Sequence, residues 1–159
     1  MSSSKLHPET LVIHNGLKSS EIGENSTPLY LNSSFRFENA EAAAAAFNGE
    51  SDDYIYSRFS NPNTDELATK MALLENCETA ICFASGMSAV FNALASVLKQ
   101  GDHLIACQNI FGNSLAVINE FLPNWGIECT LLSIDEMNNI EQFLKHNTKA
   151  IFRETPTNP

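Results

Sequence analysis

A mostly parallel α/β fold, with helices on both faces of the sheet, follows from two features of this sequence. From Thr64 onward, stretches with helical spacing of apolar residues alternate with short apolar runs, and turn residues such as Gly101-Asp102 separate them. Short strands joined through helices require right-handed crossovers, which give a parallel sheet covered on both sides.

The elements can be justified in order. Residues 1–37 form an arm with little periodicity beyond a helical turn near Glu9 to His14; such an arm packs either on another subunit or on its own domain. Residues 39–49 read as a short helix, with Asn39 placed to cap its start and Gly49 to end it. Asn61-Pro62 disfavours helix at Asn61, so Thr64, followed by Asp65 and Glu66, is the expected cap of the next helix, where Leu67, Met71 and Leu74 share a face. A strand at 79–84 and a helix at 87–99 follow, then a strand at 103–107, a helix at 113–124 and a strand at 127–132. Asp135 is the expected cap of a helix that lines up Met137, Ile140, Phe143 and Leu144, with Glu141 and Lys145 paired on its surface. A strand at 149–154 closes the series. The domain organisation expected is an arm and subunit-contact segment at 1–63 and an α/β domain at 64–159.

Composition narrows the function classes. Nineteen acidic against nine basic residues give a formal charge of -10, which opposes nonspecific adhesion to nucleic acid or anionic lipid and favours small-molecule ligands. Residues 1–5 contain no apolar leader segment and no later apolar run approaches the roughly 18 residues a bilayer span needs, so a cytoplasmic location is expected. Cys77, Cys82, Cys107 and Cys129 lack C-x-x-C spacing and read as reduced core thiols. The four histidines are scattered, which gives no support to a metal site.

In a parallel α/β sheet, ligands bind beyond the carboxyl ends of the strands. There, Ser85-Gly86-Met87 leads from a strand into a helix, a turn that aims free backbone N–H groups at an anion, or in which Ser85 merely caps and Gly86 eases the turn. Phe111-Gly112 offers a ring for stacking, or a core residue. Glu154-Thr155-Pro156-Thr157-Asn158-Pro159 sets a carboxylate, hydroxyls and an amide on a proline-stiffened loop in which a cis peptide is expected. Upstream, Tyr56-Ser57-Arg58 beside Asn61-Pro62 holds a guanidinium on a short loop, suited to a phosphate or carboxylate, or to a surface salt bridge. Taken together these ends describe a pocket for a phosphorylated aromatic heterocycle. The glycine fingerprints of dinucleotide and P-loop sites and the serine-hydrolase elbow are missing.

These motifs, in this order, resemble the pyridoxal-phosphate enzymes of cysteine and methionine metabolism, a resemblance running from about Thr10 to Pro159. It implies part of the large domain of a fold-type I enzyme, with pyridoxal 5'-phosphate as cofactor. By that resemblance the backbone at Ser85, Gly86 and Met87 holds the phosphate and Phe111 stacks on the ring. Asn158 bonds the ring oxygen with Glu154 close by, and Tyr56 and Arg58 reach the phosphate of a neighbouring subunit in a homodimer or homotetramer. Phenylalanine at 111, where many members carry tyrosine, is similar to the sulfhydrylase branch. The implied reaction is replacement at the γ-carbon of O-acetyl- or O-succinylhomoserine by sulfide, with methionine γ-lyase or cystathionine γ-synthase activity as alternatives. The family's ring-nitrogen aspartate and Schiff-base lysine have no match here, because Lys145 and Lys149 precede the Asn158 loop. The chain therefore resembles an N-terminal fragment, expected to be inactive and poorly soluble alone. A non-catalytic partner subunit is the alternative of another class. Arg153, in a position where relatives are apolar, has to be paired or exposed.

Overall fold

The computed structural model describes residues 7–14 and 22–157. The chain divides into two compact units, residues 1–82 and 83–159.

The first unit contains helices α1 (Pro8–His14), α2 (Ala40–Phe47) and α3 (Pro62–Leu74). As expected, Asn39 caps α2, its side chain accepting from the Ala42 N–H at 2.8 Å. Gly49 follows at φ +72°, a left-handed conformation that glycine adopts without strain. Helix α3 begins earlier than its acidic residues suggest. Its cap is Asn61, not Thr64, and Pro62 occupies the first turn, where its missing N–H costs no hydrogen bond. At the other end Asn76 turns left-handed (φ 53°) and the Cys77 N–H closes onto the Ala72 carbonyl at 2.8 Å, the Schellman arrangement that satisfies a terminal carbonyl.

Two asparagine side chains fasten the arm to the start of α3. The Asn63 amide behaves like a peptide group, accepting from the Tyr30 N–H and donating to the Pro28 carbonyl, each at 2.8 Å. Asn61 Nδ2 donates to the Tyr30 carbonyl at 3.1 Å and to Ser57 Oγ at 3.0 Å. An antiparallel bridge between Ser34 and Tyr56 continues the attachment.

Tyr54 adds a titratable contact in this unit. Burial first, then the hydrogen bond to Asp65, push its phenol up from 10.0 to about 12. A raised folded value means that the contact contributes in full below 10.0 and is lost as pH rises through about 12. In an ultraviolet phenolate titration, one of the three tyrosines should ionise last, and Tyr54→Phe should abolish that step alone.

The second unit contains the sheet. Helix α4 (Gly86–Val97) leads to β1 (His103–Cys107), then α5 (Gly112–Ala116), a wide turn at Val117–Phe121, and α6 (Leu122–Asn124). After these come β2 (Glu128–Leu132), α7 (Ile134–Met137), a 3-10 turn at Ile140–Phe143 and β3 (Thr148–Phe152). The order is β2-β1-β3 with both pairs parallel, Ile105 lying between Thr130 and Ile151. All five residues of β1 are buried, and Leu104, Ile118 and Leu122 are fully enclosed in the core beside it. The wide turn follows from Pro123, which has no N–H and crowds the carbonyl four residues back; the Leu122 N–H instead reaches the Val117 carbonyl, one residue further than in an α-helix. Gly126 adopts a left-handed conformation (φ +74°) that strains other residues, and a Cβ there would also lie 2.8 Å from Gln100 Cγ, which would have to shift.

Several expected details are corrected. Residues 79–84 form no strand among the described residues, and Ile81 is 76% exposed; an apolar run becomes a strand only with a neighbour to pair with. Ser133, not Asp135, caps α7, through a reciprocal capping box with Glu136. The helix drawn through Met137 and Leu144 is broken at Asn138 and Asn139 into two short pieces. Lys145 pairs with Glu128 of β2 rather than with Glu141. Cys107 is a buried thiol, but Cys77 is exposed and no core residue.

Candidate functional site

Helix α4 presents its N-terminus at the surface of the second unit. Ser85 is extended (φ -152°, ψ 155°), and its side chain accepts from the Ser88 N–H at 3.1 Å. That cap satisfies one of the first-turn donors, while the amides of Gly86 and Met87 have no acceptor among the described residues. Capping and anion attraction therefore coexist: Ser85 orders the turn, and two N–H groups at the positive end of a twelve-residue helix face outward. A Cβ added at Gly86 would meet nothing within 4 Å, so the approach to these amides is open.

The first turn of α5 lies beside this one, with Ser114 Oγ 4.0 Å from Met87 Sδ. Phe111 precedes α5 as its cap residue, and no side chain of its own neighbourhood caps the helix. The missing acceptor comes from beyond β3. Glu154 Oε2 accepts from the Phe111 N–H and Oε1 from Ser114 Oγ, both at 2.8 Å. Phe111 is 43% exposed as a residue, so it is no core residue. Outward amides beside an accessible aromatic face are the donor set a phosphorylated ring requires, and the residues present fit such a group.

Tyr56 and Arg58 form a cluster in the first unit. The Arg58 guanidinium carbon lies 5.0 Å from the Tyr56 ring centroid and 5.8 Å from that of Phe59, and the two rings meet edge to face at 6.3 Å. No salt bridge involves Arg58 among the described residues, so the surface-salt-bridge alternative is not what holds it. Two rings flank the guanidinium of this exposed arginine.

On the closing loop the Thr155–Pro156 peptide is cis. Arg153 falls just past β3 and is exposed, which removes any cost of burying its charge. Asn158, expected to bond a ring oxygen, lies outside the described residues. Ser114 was not singled out from sequence: a lone serine in a first helical turn carries no motif, and only the fold brings Glu154 to it. Among the described residues, no group of three or more His, Cys, Asp or Glu side chains could hold a metal ion. Among the same residues, no helix is long and apolar enough to cross a membrane.

Comparison with known proteins shows the family to which these residues belong. The family model described as Cys/Met metabolism PLP-dependent enzyme matches residues 9–159. An O-succinylhomoserine sulfhydrylase of Mycobacterium tuberculosis is 36% identical over 150 residues, 94% of this chain and 37% of the relative. An L-methionine gamma-lyase of Porphyromonas gingivalis is 37% identical over 150 residues, 94% of this chain and 38% of the relative. A solved Campylobacter jejuni structure, described as an O-acetylhomoserine (thiol)-lyase and carrying a pyridoxyl-lysine phosphate, superposes with a TM-score of 0.88 at 38% identity, covering 97% of this chain and 38% of its own. The chain thus spans less than two fifths of the length of these relatives.

Proposed function

This chain belongs to the Cys/Met metabolism PLP-dependent enzyme family, and from that premise we propose that it supplies the phosphate- and ring-binding part of an enzyme acting at the γ-carbon of an activated homoserine. The observation that carries the reading is the pairing of two outward amides, at Gly86 and Met87, with the accessible ring of Phe111 on the adjacent helix. When bound, pyridoxal phosphate supplies an electron sink for carbanions on the amino-acid substrate. Ser85 keeps the α4 turn in the conformation that points the two amides outward, and the amides hold the phosphate. Phe111 offers a stacking face without a hydroxyl, so it orients the ring and moves no proton. Tyr56 and Arg58 supply a preordered cation, which we assign to the phosphate of a second subunit in a homodimer or tetramer.

Replacement of the acyl group of O-acetyl- or O-succinylhomoserine by sulfide is the reaction favoured, because two of the relatives described carry that activity in their names and Phe111 lacks a phenol. Elimination from methionine is the second reading, supported by relatives of equal similarity. The test is to supply pyridoxal phosphate to the whole enzyme that contains these residues, with the Schiff-base lysine this chain does not match, and to offer each substrate in turn. Homocysteine formed from the ester and sulfide supports replacement, whereas methanethiol released from methionine supports elimination. Gly86→Asp, which places a carboxylate before the two amides, should weaken phosphate-ester binding by about tenfold or more. Unchanged binding in that variant would remove α4 from the site.

A further inference from the structure

From the contacts of Glu154 we infer that this carboxylate is a positioning residue: it acts on the cofactor through the orientation of Phe111 rather than by touching the ring itself. The inference rests on the reading of Phe111 as the stacking residue, and it reassigns Glu154 from a group near the ring to one that sets the ring's platform.

The geometry is that of a capping box divided between distant parts of the chain. In an ordinary box, the carboxylate comes from the third residue of the helix and accepts from the cap residue's N–H. Here the third residue is Ser114, too short for that reach, and Phe111 offers α5 no side-chain cap. Glu154, 43 residues away in sequence from Phe111, accepts from both, at 2.8 Å each. Ser114 is 1% exposed, so its hydroxyl has no recourse to solvent if the carboxylate is withdrawn. The two bonds fix the peptide from which the Phe111 side chain springs and the first turn that follows it. Because Glu154 lies two residues past the end of β3, the platform is tied to the end of the sheet rather than to a cap within its own turn. A negative charge beside the N-terminus of a helix is also favourable there. The Phe111 ring itself is left exposed, as a stacking surface must be.

Three variants and two readouts decide the matter. Glutamine at 154 can accept from the Phe111 N–H through its carbonyl and donate to Ser114 through its amide, so Glu154→Gln should preserve the platform without the charge. Glu154→Ala removes both bonds, and Glu154→Asp retracts the carboxylate by one methylene. The first readout is hydrogen exchange of the Phe111 amide in the full chain, expected to quicken by about tenfold or more in the alanine and aspartate variants and to stay slow in glutamine. The second is binding of deoxypyridoxine phosphate, which lacks the reactive aldehyde, followed by fluorescence with inorganic phosphate as a control ligand. Alanine and aspartate should weaken deoxypyridoxine phosphate by about tenfold while leaving inorganic phosphate unchanged, and glutamine should restore the wild-type value. If alanine alone fails to fold by circular dichroism, the aspartate variant carries the comparison. Exchange that quickens with no change in deoxypyridoxine phosphate binding would make Glu154 a merely structural cap and overturn the inference. Equal weakening in glutamine and alanine would overturn it in favour of the charge. Failure of the wild-type chain to bind the probe would instead sink the cofactor reading, while a slow, Glu154-dependent Phe111 amide would still separate the two conclusions.

Discussion

Replacing His103 by alanine is expected to destabilise the second unit by roughly 2–4 kcal/mol, the sum of two lost buried hydrogen bonds and a cavity. His103 opens β1 and is fully buried. Its Nδ1 lies 2.8 Å from Thr148 Oγ1 and its Nε2 lies 2.9 Å from Thr130 Oγ1, so one imidazole joins all three strands at the end of the sheet opposite the candidate site. In the neutral ring one nitrogen donates and the other accepts, and both threonines are served. Burial first, and then the charge of Lys145, hold His103 below its ordinary value of 6.5; Glu128, the other charged neighbour, works in the opposite direction. The sign of the pH effect follows. As pH falls through 6.5 the unfolded chain takes up a proton that the folded ring resists, so this stability is present in full above 6.5 and is lost progressively on acidification. Urea melts across that range, followed by the fluorescence of Trp125, the single tryptophan of the sequence and part of the second unit, should show the slope in the wild type and a shallower one in His103→Ala. An unchanged slope would mean that another group is responsible.

The second large effect is expected at Asn61, in the first unit. Asn61 is only 7% exposed and uses its side chain three ways: it accepts from the Asn63 N–H at 2.9 Å and donates to the Tyr30 carbonyl and to Ser57 Oγ. Asn61→Ala removes the cap of α3 and one of the arm's fastenings, a loss of about 2–4 kcal/mol. Asn61→Asp keeps the accepting oxygen and suits a helix N-terminus, but sets its second oxygen against the Tyr30 carbonyl, so the cap of α3 should survive while the fastening of the arm is lost. Because the chain comprises two units, a single melting curve would mix them. Residue-level hydrogen exchange is the better measurement. The Tyr30 amide, bonded to Asn63 Oδ1, should lose protection in both variants and the β1 amides in neither.

Local chemistry made much of this fold legible. The strand at 103–107 was expected where it occurs, since five apolar or bonded residues follow a Gly-Asp turn. The Asn39 cap and Gly49 stop are equally local, and so is the parallel α/β class, which rests on spacing alone. What escaped depended on partners distant in sequence. Residues 79–84 have a strand's composition, yet strand formation is decided by a neighbour. Lys145 had a local partner available in Glu141 and took Glu128, seventeen residues away. Two of the corrected caps carry purely local signatures: Ser133-x-x-Glu136 is a capping-box pattern, and Asn-Pro is a cap followed by a first-turn proline. At the candidate site the motifs pointed to Ser85, Gly86, Met87 and Phe111 as one pocket beyond the strand ends. The use of Glu154 as a remote cap of Phe111 and Ser114 is a product of the sheet.

The wide turn at Val117–Phe121 takes up one residue more than an α-helical turn, because the Leu122 N–H bonds the carbonyl five residues back. The surplus goes into girth rather than rotation, since the wider turn advances less per residue than the usual roughly 100°. The first turn of α5 and the core residue Leu122 thus keep nearly the phase they would have in a regular helix one residue shorter. Ser114 still meets Glu154 ahead of the turn, and Leu122 is still seated in the core behind it. The loosest stretch of this helix is where a length difference is absorbed without disturbing its tightest contacts.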